Sequence, residues 1–145
     1  MTTAEKENSI IETLKSKNEE SSEFKGIPVT NPDTVDPEEY KLNHSLGEFA
    51  VFFGELNFNT KAGEATYTQT QDNLFEIWAI VRKSQINNPA DYIDHVINAV
   101  RGGKLETNNP KSKMLPIKAE FVYVKERVWF YRIPFEARET DKKTV

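Results

Sequence analysis

Apolar side chains recur along this chain at two spacings, and the switches between them mark out its elements. From Thr3 to Asn18 most residues are good helix formers, and Ile10, Ile11 and Leu14 fall on one narrow stripe, which predicts a short amphipathic helix docked on one side. Gly26, Pro28 and Pro32 prevent a helix from continuing, an extended stretch fits Ile27 to Thr30, and Asp36 and Pro37 could open a single helical turn toward Tyr40. Phe49 to Phe53 is a short apolar run of strand length, expected to end at Gly54. Leu74 to Arg82 carries the strongest strand pattern. Phe75, Ile77, Ala79 and Val81 alternate with Leu74, Glu76, Trp78 and Ile80, so both faces are largely apolar and the strand should be central. The period then changes to three and four. Asn88 is a good N-cap, Pro89 suits the first helical position, Ile93, Val96, Ile97 and Val100 form a core-facing stripe, and Gly102 supplies the stop.

Two hairpins complete the pattern. Ile117 to Val124 and Val128 to Ala137 flank a tight turn near Lys125 to Arg127. In the first arm Ile117, Ala119, Phe121 and Tyr123 share a face; in the second Trp129, Tyr131, Ile133 and Phe135 do, giving a hairpin with one apolar face. Pro134 cannot donate a ladder hydrogen bond, which places it at an edge or a bulge. Between Glu55 and Asp72 the chain is rich in Thr, Gln and Asn, and Lys61, Ala62 and Gly63 fit the tip of a thin, exposed hairpin that buries little by itself. Gly103 to Pro116 reads as a polar loop, and Glu139 to Val145 as a disordered polar tail. The expected architecture is one α+β domain over residues 1–145, a small mixed or antiparallel sheet with helices on one face and an extended hairpin.

Composition refines this picture. At 145 residues the chain has room for one core, and only 37% of it is hydrophobic, with a mean hydropathy of −0.65. None of the 16 aromatic residues falls in the first 23, so the start is expected to supply little core. No cysteine is present, which excludes disulfides and thiolate metal sites, and no basic-then-apolar leader or apolar run of spanning length occurs. Residues 31–76 hold nine acids against Lys41 and Lys61, a net of −7, whereas residues 77–145 hold thirteen basic residues against eight acids, a net of +5. Such halves either mate head to tail between copies or mingle on one mixed surface.

Catalytic constellations are thin. Of two histidines, His44 lies in a loop and His95 lies four residues after Asp91, a spacing that could place both on a metal or, far more commonly, in a surface ion pair. Neither phosphate-loop pattern occurs, and Glu38 with Glu39, or Asp33 with Asp36, read as solvated acids. Arg101 to Lys118 has a local net of +4, yet few aromatics interleave with it, so a basic protein contact or a solvated loop fits better than nucleic-acid binding. Neither an enzyme nor a cofactor is expected.

The order of segments resembles the phage tail terminator family, most specifically in the closing arm VWFYRIPFEAR (Val128 to Arg138), which is similar to that of the group in Mu-like contractile-tailed phages. The resemblance implies a virion protein, assembled in the host cytoplasm and placed at the head-proximal end of the tail. It would form a homo-oligomeric ring, expected as a hexamer, that caps the tail tube protein and docks the head–tail connector. The sheath would be a neighbour, DNA would pass through the lumen, and no membrane is involved. A head-completion adaptor of the same neck, a small α+β binding module and a metal-dependent hydrolase are the alternatives. Assembly contacts are expected on the two polar excursions, at Glu55, Phe58, Lys61, Glu64, Tyr67 and Asp72, and at Lys104, Lys111 and Lys113.

Overall fold

The fold was read from a computed structural model, which describes residues 2–31, 46–63, 66–84, 87–103 and 113–144, with side chains to residue 139. Helix α1 spans Thr3–Glu20; Thr2 caps it, its Oγ1 accepting the Glu5 N–H at 3.1 Å. Gly26, at φ 88°, turns the chain into the short strand β1 (Val29–Thr30). Two long strands follow, β2 (Gly47–Ala62) and β3 (Thr66–Arg82). Helix α2 (Pro89–Val100) starts at the Asn88 cap, whose Oδ1 accepts the Ala90 N–H at 3.0 Å, and ends before Gly102 at φ 78°. Strands β4 (Leu115–Pro116), β5 (Glu120–Lys125) and β6 (Val128–Thr144) close the chain.

These strands form one open, six-stranded sheet in the order β1-β2-β3-β6-β4, with β5 also on β6; the β1–β2 pair is parallel and the others antiparallel. The α+β architecture is therefore as the periodicity predicts. Alternation along β3 separates two apolar clusters. Phe75, Ile77, Ala79 and Val81, all fully buried, join Phe49, Val51, Ile133 and Phe135 and the buried faces of both helices. Trp78 and Ile80 face the other way and pack with Ala50, Val128 and Phe130, a smaller cluster built only from strands.

Four details differ from the sequence reading. First, α1 supplies real core: Ile10, Ile11 and Leu14 are buried in the main cluster, because a narrow aliphatic stripe suffices where the facing strands bring the aromatics. Second, β2 does not stop at Gly54. The register slips between Phe53 and Glu55, so the glycine marks a bulge, and an added Cβ there would lie 3.0 Å from the Leu74 carbonyl oxygen. Third, the residues after Glu139 are strand as far as Thr144, paired with β3 down to Thr66; polar composition hid a strand whose backbone partner is already present. Fourth, the β5 arm does not keep one face. A second register shift between Phe121 and Tyr123 sends Phe121 toward Trp129 and Tyr131 while Tyr123 stacks on Phe130 at 4.3 Å. Pro134 lies where the pairing on the outer side of β6 passes from β5 to β4, and its carbonyl accepts the Ile117 N–H at 2.9 Å. The expected turn around Pro37 lies outside the described residues.

Candidate assembly surface

Beyond the bulge, β2, β3 and β6 continue together as a three-stranded arm made of residues 55–62, 66–73 and 137–144. The Gly63 N–H closes its tip onto the Thr66 carbonyl at 2.7 Å, as the expected hairpin requires. The register then sorts the predicted contact residues. Phe58 and Tyr67 share the face on which the helices sit lower down, while Glu55, Lys61 and Asp72 share the opposite face. Phe58 is 56% exposed, and Glu55 and Lys61 are exposed as well. Asp72 is engaged by a two-pronged contact from Arg138, at 2.7 and 3.3 Å. Lys113 is exposed, away from the arm, beside a Met114 that is buried. Glu64, Lys104 and Lys111 lie outside the described residues.

The base of the arm is held by residues that sequence reasoning missed. Lys6 of α1, 3% exposed, reaches Asn73 Oδ1 at 3.2 Å and the Glu139 carboxylate at 2.8 Å. Fully buried Asn73 also donates to the Ala137 carbonyl at 3.0 Å and to Glu139 at 3.2 Å, and its Oδ1 accepts from Gln71 at 3.0 Å. The adjacent Glu7 carboxylate accepts the Phe53 N–H at 2.7 Å, where the bulge interrupts the ladder, and its other oxygen accepts from Asn31. Two neighbouring residues of one helix thus fix the root of the arm, Glu7 on β2 and Lys6 on β3 and β6. The only sequence signal is Asn73, a polar residue directly before an apolar strand. Apart from Gln71, its partners are 64 to 67 positions away and invisible to local patterns.

The charge split looks different in three dimensions. Along the β3–β6 boundary acids of the first half meet bases of the second: Asp72 with Arg138, and Glu76 with Arg132 at 3.6 Å. Arg132 also pairs with Glu120, whose second oxygen lies 3.2 Å from Lys118. The hydrogen bond from Arg132, then that from Lys118, holds the Glu120 carboxyl below its usual range. Part of the asymmetry is therefore neutralised within the chain.

His95 is not paired with Asp91. Its Nε2 lies 2.6 Å from Asn18 Oδ1, and its ring stacks on Phe24 at 4.1 Å. Because the Asn18 amide donates to the Ile27 carbonyl at 3.0 Å, Oδ1 faces the ring, and His95 is the donor through Nε2. Burial pushes its pKa down, so the ring is neutral at pH 7 and links α2 to α1. Asp91 instead lines an open hollow of about 240 Å³ with Glu23, Phe24, Leu46, Asn87, Asn88 and Tyr92. Among the described residues no group of three or more His, Asp or Glu side chains converges as a metal site.

The fold and this surface define an α+β domain that carries a polar, three-stranded arm rooted in its core. The chain belongs to the Gp37 protein family, whose model matches residues 25–141. No curated protein matches it. Among solved structures it is similar to a chain of the virion of a native gene transfer agent (GTA) particle, at 13% identity and a TM-score of 0.49, over 78% of each chain.

Proposed function

We propose that the chain is a structural protein of a phage or phage-like particle, a tail terminator that caps the tail tube as a ring, ends its polymerisation and offers the docking surface for the head connector. The observation that carries this reading is the arm. A strand extension with polar faces adds little to the core, and both of its outer strands, β2 beyond Phe53 and β6 beyond Glu136, have no further partner strand among the described residues. Long open edges are normally covered, shortened or broken by charge and proline. Charge is present on both edges here, Glu55 and Lys61 on β2 and Arg138, Glu139, Asp141, Lys142 and Lys143 on β6. The edges are neither shortened nor covered by another strand among the described residues, however, and an arm braced by a buried Lys–Asn–Glu set is suited to adding strands or side-chain contacts to another protein. The closing sequence VWFYRIPFEAR supports the terminator reading within that class, since it is the stretch on which the family resemblance rests and it forms the inner part of β6.

Co-sedimentation with purified tail tubes, followed by negative-stain imaging, tests the proposal. The full chain should sediment with tubes and appear as rings at their ends. Replacing residues 58–68 by a two-residue turn should remove binding while leaving the helix-covered core folded. A shortened chain that caps tubes normally, or a full chain that binds the connector and not the tube, refutes the terminator role.

A further inference from the structure

At Gly54 the ladder between β2 and β3 is interrupted, while β3 and β6 pass the same level without a register shift. A bulge bends its strand and raises the local twist, so this point sets the direction in which the arm leaves the sheet. Burial does little to hold that direction, since Glu55, Asn57, Phe58, Asn59, Thr60 and Lys61 are all exposed. Small errors at the root also grow along the arm. The strand from Glu55 to Ala62 spans about 26 Å at the usual rise, so a swing of about 10° moves the tip by about 4–5 Å.

One side chain crosses this joint. Glu7, half-buried on α1, accepts the Phe53 N–H at 2.7 Å through Oε2, and its Oε1 accepts from the side chain of Asn31, the residue after β1. A single carboxylate thereby ties α1, the end of β1 and the bulge of β2 together. Its neighbour Lys6 is buried and turned to β3 and β6, where its loss costs stability. The Phe53 bond of Glu7 lies at the surface, where water can take over the N–H at little cost but cannot hold the strand in one direction. We propose that Glu7 is a positioning residue for the arm: it fixes the direction of the arm against the helix-covered core and so presents the arm to the tail tube. That the tube is what the arm meets rests on the terminator reading, and the control of direction does not.

The absence of cysteine makes the test direct. N59C and N98C, both at exposed positions, place one spin label on the arm and one on α2, which Glu7 does not touch. Pulsed electron paramagnetic resonance on the full chain then reads the distance distribution between arm and core. Glu7→Ala should broaden or shift that distribution with little change in Tm, and tube affinity should fall about tenfold, as expected of a residue that acts on a contact from outside it. Glu7→Gln keeps an oxygen for the Phe53 N–H and should restore both readings. Glu12→Ala, which removes the same charge elsewhere on α1, should leave both at wild type. Asn31→Ala frees only the other carboxylate oxygen and should give an intermediate broadening, which keeps the test open if Glu7→Ala does not fold. A distribution unchanged in Glu7→Ala and Asn31→Ala, no rescue by Gln, or equal broadening by Glu12→Ala overturns the positioning role, as does a broadened arm that still binds tubes normally. If the arm broadens but the wild-type chain binds no tubes, Glu7 still sets the direction of the arm and the terminator reading falls.

Discussion

Replacing Lys6 by Met asks whether the arm is braced by the buried Lys6–Asn73–Glu139 set or merely touches it. Met keeps an unbranched stem of similar length, so packing around Ile10 should persist while the ammonium is lost. Removing one partner of a fully buried ion pair costs about 3–5 kcal/mol. Here the loss is partial, since the Glu139 side chain retains 18% exposure and the Asn73 amide, and Asn73 Oδ1 keeps the Gln71 donor. A charge-assisted hydrogen bond is worth about 1.5–3 kcal/mol, so the expected cost is about 2 kcal/mol, or roughly 7 °C in Tm for a chain of this length. Adding Glu139→Gln should recover about 1 kcal/mol, because the carboxylate left behind is then neutral. Urea unfolding of wild type, both single variants and the double variant, at a concentration low enough to keep the chain monomeric, yields the coupling energy. Hydrogen exchange should show faster amides at residues 66–73 and 137–139 with little change at Phe75 to Val81. A Lys6→Met variant within about 0.5 kcal/mol of wild type, or single effects that simply add, would refute the bracing role.

Burial raises the Glu48 pKa despite the 3.0 Å hydrogen bond from Thr30, so its contribution to stability is present below the unfolded value and lost as pH rises through the folded one. Glu48→Gln should therefore raise Tm at pH 7 and leave it nearly unchanged at pH 4, as followed by circular dichroism. His95 has the opposite sign. Its depressed pKa makes its contribution full above the unfolded value of 6.5 and declining as pH falls below it, and proton NMR should place its midpoint under 6.5. Gly47→Ala puts a Cβ 2.6 Å from the Ile80 carbonyl oxygen and 2.9 Å from the Tyr92 ring, which should cost about 1–3 kcal/mol in urea unfolding. At the β5–β6 turn Glu126 and Arg127 both hold positive φ, 53° and 66°, in the two-residue loop closed by Lys125 and Val128. Such a turn favours Asn-Gly, so Arg127→Gly should stabilise by about 0.5–1 kcal/mol, and a loss of stability would count against the turn geometry.

The elements easiest to read from the sequence were those whose burial is set by local periodicity. In β3, alternation assigned Phe75, Ile77, Ala79 and Val81 to one core and Trp78 and Ile80 to another, and in α2 the Asn88 cap, Pro89 and Gly102 marked both ends. Tyr92 escaped because it lies off the aliphatic stripe, buried instead by Phe24 and Phe49 from distant segments. Strand ends were misjudged where hydrogen bonding continued after hydrophobicity stopped. At Gly54 and again after Ala137 the chain turns polar, but the ladder to β3 persists, because a strand requires a paired neighbour and only its burial requires apolar side chains. The hairpin was legible but its tip was placed early, since Lys61 and Ala62 still pair with Thr68 and Tyr67 and Gly63 bonds Thr66, whereas the sorting of Phe58 and Tyr67 from Glu55, Lys61 and Asp72 depends on the bulge and could not be counted from residue parity alone.

That bulge also joins the structure of the arm to its use. Were Gly54 paired in regular alternation instead of bulged, Leu56 and Phe58 would fall on the face opposite Phe49 and Val51, and Glu55 and Lys61 on the helix side. With it, the helix-facing side of the arm begins at Leu56 and Asn73, where Lys6 meets the strands, and the other side presents Glu55, Lys61 and the Asp72–Arg138 pair. The bulge's exposed backbone N–H at Phe53 is the one Glu7 accepts. The insertion that re-aims the side chains thus also creates the donor through which the helix grips β2. Helix and arm are coupled at this joint, so a change in α1 at Lys6 or Glu7 should alter how the arm is presented without touching any residue on the arm itself.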